Sequence, residues 1–377
     1  MHNAVVGVIV GLVLGVVVGA SVVAPRLNSP PQPGVSIQGS SLSRGKVSLP
    51  SASPKVPVYR FKMASAYSSS LPQLGALAKR LEQGIWRVSD GAIEISFHEP
   101  GALVAPKDMF EAVASGTIDA AFASPGLWAE KDPSLQLFAS TPFGPGPGEY
   151  LAWMYGGGGL ALYRDIYRKY GLYGLPCGLT SPGAGAWFLN PVTDLESLKG
   201  RTMAISGLGA KVMNKLGVKT FSMEPGDMFA ALESGKLDAL EYSLPAIDLK
   251  LGFFEKIGNY YFPGWHRPTV FYDLIVNLKK WKGLPANRKA QIETVCGDNI
   301  RNGLSEGGAL QFPALKTLAE KGVIVRRLPN DVLGALRQAW KEVAKSEAAA
   351  DANFRRVWRS LSAFHKDYAI WMELEQN

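Results

Sequence analysis

A thirteen-residue segment occurs twice in this chain. Residues 108–120 read DMFEAVASGTIDA and residues 227–239 read DMFAALESGKLDA, with eight positions identical and two more exchanging one aliphatic residue for another. In each copy, apolar residues at helical spacing lead to Ser-Gly, and the glycine can adopt the left-handed conformation that ends a helix. The residues that follow fit a short buried strand. This repeated unit predicts two similar α/β lobes, with a ligand site in the cleft between them.

The composition predicts a folded body and gives little reason to expect a nucleic-acid partner. The 377 residues include 40 Lys and Arg against 32 Asp and Glu, for a net charge of +8, and 47% of them are hydrophobic. The whole basic excess precedes Glu82, the first acidic residue, so the rest of the chain is neutral overall. Because the body has no net basic character, we expect no nucleic acid among its partners.

The N-terminal region differs from the body. Residues 4–24 are uncharged and mostly aliphatic or glycine, and a helix of that length spans about 31 Å, enough to cross a hydrocarbon core. Glycine recurs every fourth residue from Gly7 to Gly19, a spacing that allows close approach of two membrane helices. We predict a retained membrane anchor over residues 1–25, with a cleavable signal segment as the alternative. Residues 26–57 are rich in Pro, Ser and Gly and predict a flexible tether.

Hydrophobic patterns of both kinds continue through the body. Residues 71–86 have the periodicity of a helix, and residues 92–97 alternate like a strand. Elements mixed in this way favour an α/β body over residues 58–377. The predicted division is a first lobe over about 58–178 and 246–282, a second lobe over about 179–245 and 283–330, and C-terminal helices over 331–377.

Six short segments of the body form a recognisable set. They are EPGAL at 99–103, KDP at 131–133, WMYGGGG at 153–159, LKG at 198–200, the second repeat copy, and YYFPGWH at 260–266. Together they resemble the extracytoplasmic solute receptors of tripartite ATP-independent periplasmic (TRAP) transporters. The resemblance is to the branch that binds 2-oxo acids and related carboxylates, and it covers about residues 59–374.

The resemblance implies both a fold and a role. The fold is a two-lobed, periplasmic binding protein-like α/β structure with hinge strands and a long connecting helix, closing on one small-molecule solute. The implied role is a binding receptor, not an enzyme, that delivers its solute to a TRAP-type membrane permease. With the predicted anchor, this places the protein in the periplasm, tethered to the inner membrane. A soluble periplasmic protein after signal cleavage is the alternative, and a homodimer is left open.

The ligand contacts of that family are changed here. The family's arginine on the strand after LKG, which usually pairs with a substrate carboxylate, falls on Ala204. The glutamine that helps coordinate a cation in the oxo-acid branch falls on Gly183. The Glu-Trp pair after the second repeat is Glu241-Tyr242, so the carboxylate is kept and the indole becomes a phenol.

Two further departures point the same way. The family's asparagine in Gly-Asn-Thr-Gly is Leu179, and the acidic residue after Trp-His is Arg267. We interpret the set as a change to a less anionic ligand that is not a simple 2-oxo acid. A carboxylate held by another cation, such as Arg267, and a degenerate receptor without a small ligand are the alternatives. No cofactor is expected; if a cation is bound, Glu241 is its candidate ligand.

Aromatic residues near the expected cleft complete the candidate site. Trp187 and Tyr242 are the strongest of these, because they flank positions where the resembling family contacts its solute. The candidate ligand-binding residues are Tyr67, Trp128, Gly183, Trp187, Ala204, Glu241, Tyr242 and Trp265.

Reactive side chains are few and scattered, which weakens the competing hypothesis of an enzyme. The four histidines lack HExxH spacing, and the sequence contains no GxSxG elbow. Glu241, without a partner, suits a cation or hydroxyl contact better than a general base. Cys177 and Cys296 form neither a metal pattern nor a disulfide framework, and we expect two separate thiols. A membrane-tethered sensory or interaction domain on the same fold is a further alternative.

Overall fold

The structure, a computed structural model, describes residues 57–375. The predicted anchor and nearly all of the predicted tether lie outside the described residues. Among the helices within 57–375, none combines the length and the hydropathy needed to cross a bilayer.

Strands and helices alternate through the described part of the chain, in agreement with an α/β body. The strands are β1 (Tyr59–Ser65), β2 (Ile93–His98), β3 (Ala120–Ala123), β4 (Leu172–Thr180), β5 (Ala186–Phe188), β6 (Thr202–Ala204), β7 (Lys219–Phe221), β8 (Ala239–Leu240), β9 (Asn259–Phe262), β10 (Val270–Asn277) and β11 (Ile324–Arg327). The helices are α1 (Gly75–Val88), α2 (Met109–Ser115), α3 (Leu135–Ala139), α4 (Pro147–Tyr155), α5 (Gly159–Lys169), α6 (Gly207–Lys215), α7 (Pro225–Glu233), α8 (Pro245–Leu251), α9 (Leu278–Lys282), α10 (Ala286–Ala309), α11 (Gln311–Glu320), α12 (Asn330–Ala350) and α13 (Ala352–Glu375).

Two sheets with related topologies organise the fold. The first has the strand order β2-β1-β3-β10-β4, and the second has the order β11-β9-β5-β8-β6-β7. In each sheet three parallel strands (β2-β1-β3 and β7-β6-β8) are followed by an antiparallel strand. That next strand is β10 in the first sheet and β5 in the second. The chain is therefore built from two similar lobes, as the repeat predicted.

The two copies of the repeat occupy equivalent places in these lobes. The first copy forms α2 and leads into β3, and the second forms α7 and leads into β8. Each helix is followed by a glycine in the left-handed region, Gly116 with φ 82° and Gly235 with φ 69°. The glycine ends the helix and redirects the chain into the sheet.

Two strand-to-strand connections cross between the lobes, and together they are called the hinge below. Residues 181–185 connect β4 in the first sheet with β5 in the second, and residues 263–269 return the chain from β9 to β10. The crossings run side by side, because the Gly183 N–H donates to the Arg267 carbonyl at 2.9 Å. Residues on both crossings are therefore close to each other and to both lobes.

The predicted lobe boundaries differ from the observed sheets in two places. Residues 246–282 were assigned to the first lobe, yet β9 pairs with β5 and β11 in the second sheet. Residues 283–330 were assigned to the second lobe, yet α10 packs on β4 and α1 in the first. Hydrophobic periodicity reports how a segment folds locally, whereas its sheet is chosen by pairing with strands distant in sequence.

The expectation of two separate thiols is wrong. Cys177 on β4 and Cys296 on α10 form a disulfide that fastens the helix to the first sheet. Beside it, the Asn299 side-chain amide donates to the carbonyls of Cys177 at 2.9 Å and Leu77 at 3.1 Å. The two cysteines are separated by 119 residues, so only the packing of α10 on β4 reveals that they meet.

Candidate ligand-binding cleft

A cleft with a volume of about 730 Å³ lies between the two lobes, beside the hinge. This size is in the range of small-molecule binding pockets. The first lobe contributes residues that follow β1 and β3, among them Tyr67, Ser124 and Trp128. The second lobe contributes residues around the beginning of α6 and the end of β7, and the hinge region contributes Tyr242, Ser243, His266, Arg267, Val270 and Tyr272.

An ion pair lies at the hinge side of this cleft. Arg267 Nη1 is 3.3 Å from Glu241 Oε1, and it also donates to the Tyr242 carbonyl oxygen. The other carboxylate oxygen of Glu241, Oε2, is 3.4 Å from His266 Nε2. Each oxygen of the Glu241 carboxylate therefore faces a basic side chain, and the carboxylate itself is buried. Arg267 is half-buried and lines the cleft.

The surroundings of this pair favour its ionised form. Burial opposes the charge of Glu241, but the adjacent Arg267 and His266 outweigh it and lower the pKa of the carboxyl. Burial likewise opposes the charge of Arg267, but Glu241 and the neighbouring tyrosines raise the pKa of its guanidinium. The cleft thus contains a permanent cation whose countercharge lies behind it.

Three tyrosines, Tyr67, Tyr242 and Tyr272, line the cleft together with Arg267. Tyr67 and Tyr272 meet edge to face, with ring centroids 5.6 Å apart. Burial raises the pKa of Tyr242 to about 12, and it also raises the pKa values of the Tyr67 and Tyr272 phenols well above their usual range. All three hydroxyls are therefore neutral at physiological pH. Among the described residues, the Tyr242 hydroxyl has no hydrogen-bond partner.

The sequence also matches a known family. The family model DctP, described as bacterial extracellular solute-binding protein, family 7, matches residues 63–351. The chain belongs to this family. Its members are substrate-binding receptors that work outside the cytoplasm, and this receptor shares that class and location.

Three relatives are similar over most of their length. A monocarboxylate 2-oxoacid-binding periplasmic protein of Nostoc sp. is 31% identical over 324 residues, which are 85% of this chain and 88% of the relative. A TRAP transporter solute binding protein from Bordetella bronchiseptica, solved with copurified calcium and picolinate, is 30% identical. Its TM-score is 0.81, and the match covers 84% of this chain and 95% of the other. A TRAP periplasmic solute binding protein from Pseudoalteromonas atlantica, solved with bound sodium and pyruvate, is 28% identical with a TM-score of 0.80, covering 84% and 97%.

These matches confirm the fold class and the general function. The receptor has the two-lobed α/β fold of TRAP solute-binding proteins, and it belongs to the extracytoplasmic receptors that bind small solutes for TRAP transporters.

The structure brings four of the predicted site residues to the cleft or directly behind it. Tyr67, Trp128 and Tyr242 line the cleft, and Glu241 lies behind the Arg267 guanidinium. Gly183 lies on the hinge beside Arg267, where an added Cβ would be 3.5 Å from the Cβ of Arg267.

The other three predicted residues lie away from the cleft lining. Trp187, one of the two strongest candidates, is buried in the second lobe, where it stacks on Tyr260 and its Nε1 donates to Asp248 at 2.8 Å. Ala204 is buried in the same lobe, and its carbonyl accepts the Glu241 N–H at 2.8 Å. Trp265 is buried against Phe143. None of the three is among the residues that line the cleft.

Sequence reasoning did not single out several residues that line the cleft. Tyr272 lines the cleft, yet its sequence signal is only that of a buried strand residue in β10. Ser206 and Ser222 line the cleft from the second lobe because they follow β6 and β7, at the carboxyl ends of parallel strands. That position is a general signal for ligand contacts in α/β folds, and it could have identified both serines.

Proposed function

We propose that this receptor captures a small carboxylate solute between its lobes and delivers it to a TRAP-type permease. One observation carries the proposal: the Arg267 guanidinium lines the hinge side of the cleft together with Tyr67, Tyr242 and Tyr272, and the Tyr242 hydroxyl has no hydrogen-bond partner among the described residues. A guanidinium and neutral phenols complement a carboxylate, which only accepts hydrogen bonds. The relatives solved with picolinate and pyruvate support the same class of ligand.

The geometry favours one of the alternatives that the sequence left open. The position of the family's arginine is Ala204 in this chain, and that difference favoured a less anionic ligand. Arg267 supplies a cation from the hinge instead, so a carboxylate held by a different residue fits the cleft better. Nε and Nη2 of Arg267 have no hydrogen-bond partner among the described residues, which leaves one edge of the guanidinium for a ligand.

The 2-oxo group is not expected to contribute to recognition. Ala204 and Gly183 provide no polar side chain where the resembling family contacts a 2-oxo acid. Apolar residues such as Leu74, Ile205 and Val270 line other parts of the cleft. They suit an aliphatic or aromatic remainder, and burying each CH₂ group stabilises the complex by about 0.8 kcal/mol.

Calorimetry with three matched ligands tests the proposal. The ligands are 4-methylpentanoate, 4-methyl-2-oxopentanoate and the uncharged 4-methylpentanamide. We expect the two acids to bind within about tenfold of each other and the amide to bind at least about tenfold more weakly, since it loses a charge-assisted pair. Stronger binding of the amide would contradict a carboxylate ligand. Native mass spectrometry of the purified receptor should show a retained acid.

A charge-matched pair of variants locates the contact. Arg267→Gln should reduce the affinity for 4-methylpentanoate by about tenfold to over a hundredfold. Arg301→Gln removes a cation from the surface, where the Arg301 side chain is 57% exposed and pairs with Asp298, and it should leave the affinity unchanged. Equal affinities of wild type and Arg267→Gln would show that the carboxylate binds elsewhere.

We also propose that residues 4–24 keep the receptor tethered to the inner membrane, with residues 26–57 as the flexible linker. The uncharged length of the first segment and the Pro, Ser and Gly content of the second support this. Mass spectrometry of the mature protein tests it: an intact N-terminus is expected, and one at Ser21 or beyond would indicate cleavage. We further propose that the receptor performs no catalysis, because Glu241 is held by Arg267 and His266 instead of being free as a base.

A further inference from the structure

We propose that the Arg267 guanidinium takes the place of a metal ion in this receptor, so that the solute binds without a bound cation. The second claim, that the solute binds without a bound cation, rests on the proposed carboxylate ligand, because Arg267 would then balance the charge of that ligand. The first claim, that Arg267 takes the place of a metal ion beside Glu241, can be tested by calcium binding without any solute.

The first argument is that the guanidinium already contacts the oxygens a cation would need. Arg267 Nη1 lies 3.3 Å from the Glu241 carboxylate and donates to the Tyr242 carbonyl. A carboxylate and a main-chain carbonyl are the oxygen donors that calcium prefers in proteins. In this chain one nitrogen engages both, and His266 faces the remaining Glu241 oxygen at 3.4 Å.

The second argument is the relation between Gly183 and Arg267. Gly183 has no side chain to offer a cation. Its N–H donates to the Arg267 carbonyl at 2.9 Å, so the two residues are neighbours across the hinge. The segment beside Arg267 therefore offers no side-chain ligand for a cation at Gly183, whereas Arg267 itself supplies a fixed positive charge there.

The third argument is electrostatic. Glu241 and Arg267 together are neutral, so the pocket behind the guanidinium offers no net negative charge. A calcium ion at Glu241 would have to displace Arg267 or remain beside it against like-charge repulsion. Residues 57–375 also contain no cluster of three or more His, Cys, Asp or Glu side chains that could hold a metal. The donor set of this receptor therefore does not fit the calcium or sodium found with the ligands of its relatives.

The experiment is a calcium titration of the full-length receptor after treatment with EDTA and transfer to metal-free buffer. The wild type should show no saturable calcium binding below about 1 mM. The double variant Arg267→Ala, Gly183→Gln should gain a site and bind calcium at least about tenfold more tightly than the wild type. Arg301→Ala, the surface control, should behave as the wild type does.

A second measurement keeps the test decisive if the double variant does not fold. The wild type is assayed for 4-methylpentanoate binding by calorimetry, with 1 mM EDTA or with 1 mM calcium chloride. We expect affinities within about twofold of each other. Micromolar calcium binding by the wild type, or acid binding that disappears in EDTA, would overturn the inference.

The outcomes also separate this inference from the proposed function. A wild type that binds neither calcium nor any of the acids would contradict the carboxylate ligand and leave the Arg267 assignment standing. A wild type that binds the acid only together with calcium would confirm the ligand class and refute the metal replacement.

Discussion

Asp119 and Asp238 occupy the same position in the two repeat copies and make the same hydrogen bonds in different sheets. Asp119 Oδ2 accepts the Lys62 N–H at 2.7 Å, and the Asp119 N–H donates to the Lys62 carbonyl at 3.1 Å. Asp238 Oδ2 accepts the Thr202 N–H at 2.8 Å, and its own N–H donates to the Thr202 carbonyl at 2.9 Å. Each aspartate thus fastens the end of the repeat to a strand of its lobe.

Loss of either carboxylate is expected to destabilise the receptor. Asp119→Ala and Asp238→Ala should each lower the free energy of unfolding by about 1–3 kcal/mol, because the strand N–H loses a charged acceptor. Asp227→Ala, within the same repeat but exposed, should change stability by less than about 0.5 kcal/mol. Urea unfolding of the three variants measures the differences. If Asp119→Ala and Asp238→Ala are as stable as the wild type and the Asp227→Ala control, the repeated aspartate has no structural role.

The disulfide should contribute measurably to stability. It joins residues 119 apart. A cross-link over a loop of that size lowers the entropy of the unfolded chain and so raises the free energy of unfolding by about 2–5 kcal/mol. Reductant should therefore lower the stability of the wild type in guanidinium unfolding. The double variant Cys177→Ala, Cys296→Ala should start at the lower stability and should not respond to reductant. If reductant leaves the wild type unchanged, the two thiols are not bonded.

Asp273 should make stability depend on pH. The hydroxyls of Tyr167 and Tyr163 donate to its Oδ2 at 2.6 Å and 2.8 Å, but burial dominates and raises the pKa of Asp273 to about 7. In the unfolded chain the carboxyl has a pKa of about 4. Between these values the folded state binds more protons, so the free energy of unfolding falls as pH rises from about 4 to about 7 and then levels.

Asp273→Asn should remove this contribution. The difference in free energy of unfolding, wild type minus variant, should decrease as pH rises from about 4 to about 7, by at most about 1.4 kcal/mol per pH unit. Urea unfolding at pH 5 and pH 8 measures it, with Asp367→Asn on the exposed surface as the control. A difference that does not vary with pH would mean that Asp273 is ionised in the folded protein.

Tyr242 and Trp187 should respond in opposite ways to replacement by phenylalanine. Tyr242→Phe removes a cleft hydroxyl and should weaken 4-methylpentanoate binding by about tenfold, the value of one hydrogen bond, with little change in the melting temperature. Trp187→Phe leaves Asp248 with one fewer buried donor and should lower the melting temperature while preserving affinity. Calorimetry and thermal unfolding distinguish the two. The reverse pattern would place the indole, not the phenol, against the solute.

Local structure was predictable wherever it depends on residues close in sequence. The helix expected over 71–86 is observed at Gly75–Val88, and the strand expected over 92–97 is observed at Ile93–His98. Both follow from hydrophobic periodicity, which is a property of consecutive side chains. The resemblance added the two-lobed fold, which the solved relatives confirm, and it drew attention to Glu241, Tyr242 and Arg267, whose roles stay predictions.

The arrangement of the site depended on contacts between distant segments. Trp187 and Tyr242 had equal standing as aromatic residues beside expected contacts, but strand pairing buried the first and left the second at the cleft. Glu241 and Arg267 lie on different segments, one after β8 and one on the return crossing. Periodicity could not pair them.

The sequence therefore determined the repeated helix-glycine-strand units and the two α/β lobes. The tertiary structure decided that Arg267 pairs with Glu241 at the cleft, that Cys177 meets Cys296, and that β9 joins the second sheet. The physical reason is the range of the interactions. Helix termination and strand alternation are fixed within a dozen residues, whereas an ion pair, a disulfide and a sheet edge form only when packing brings remote parts of the chain into contact.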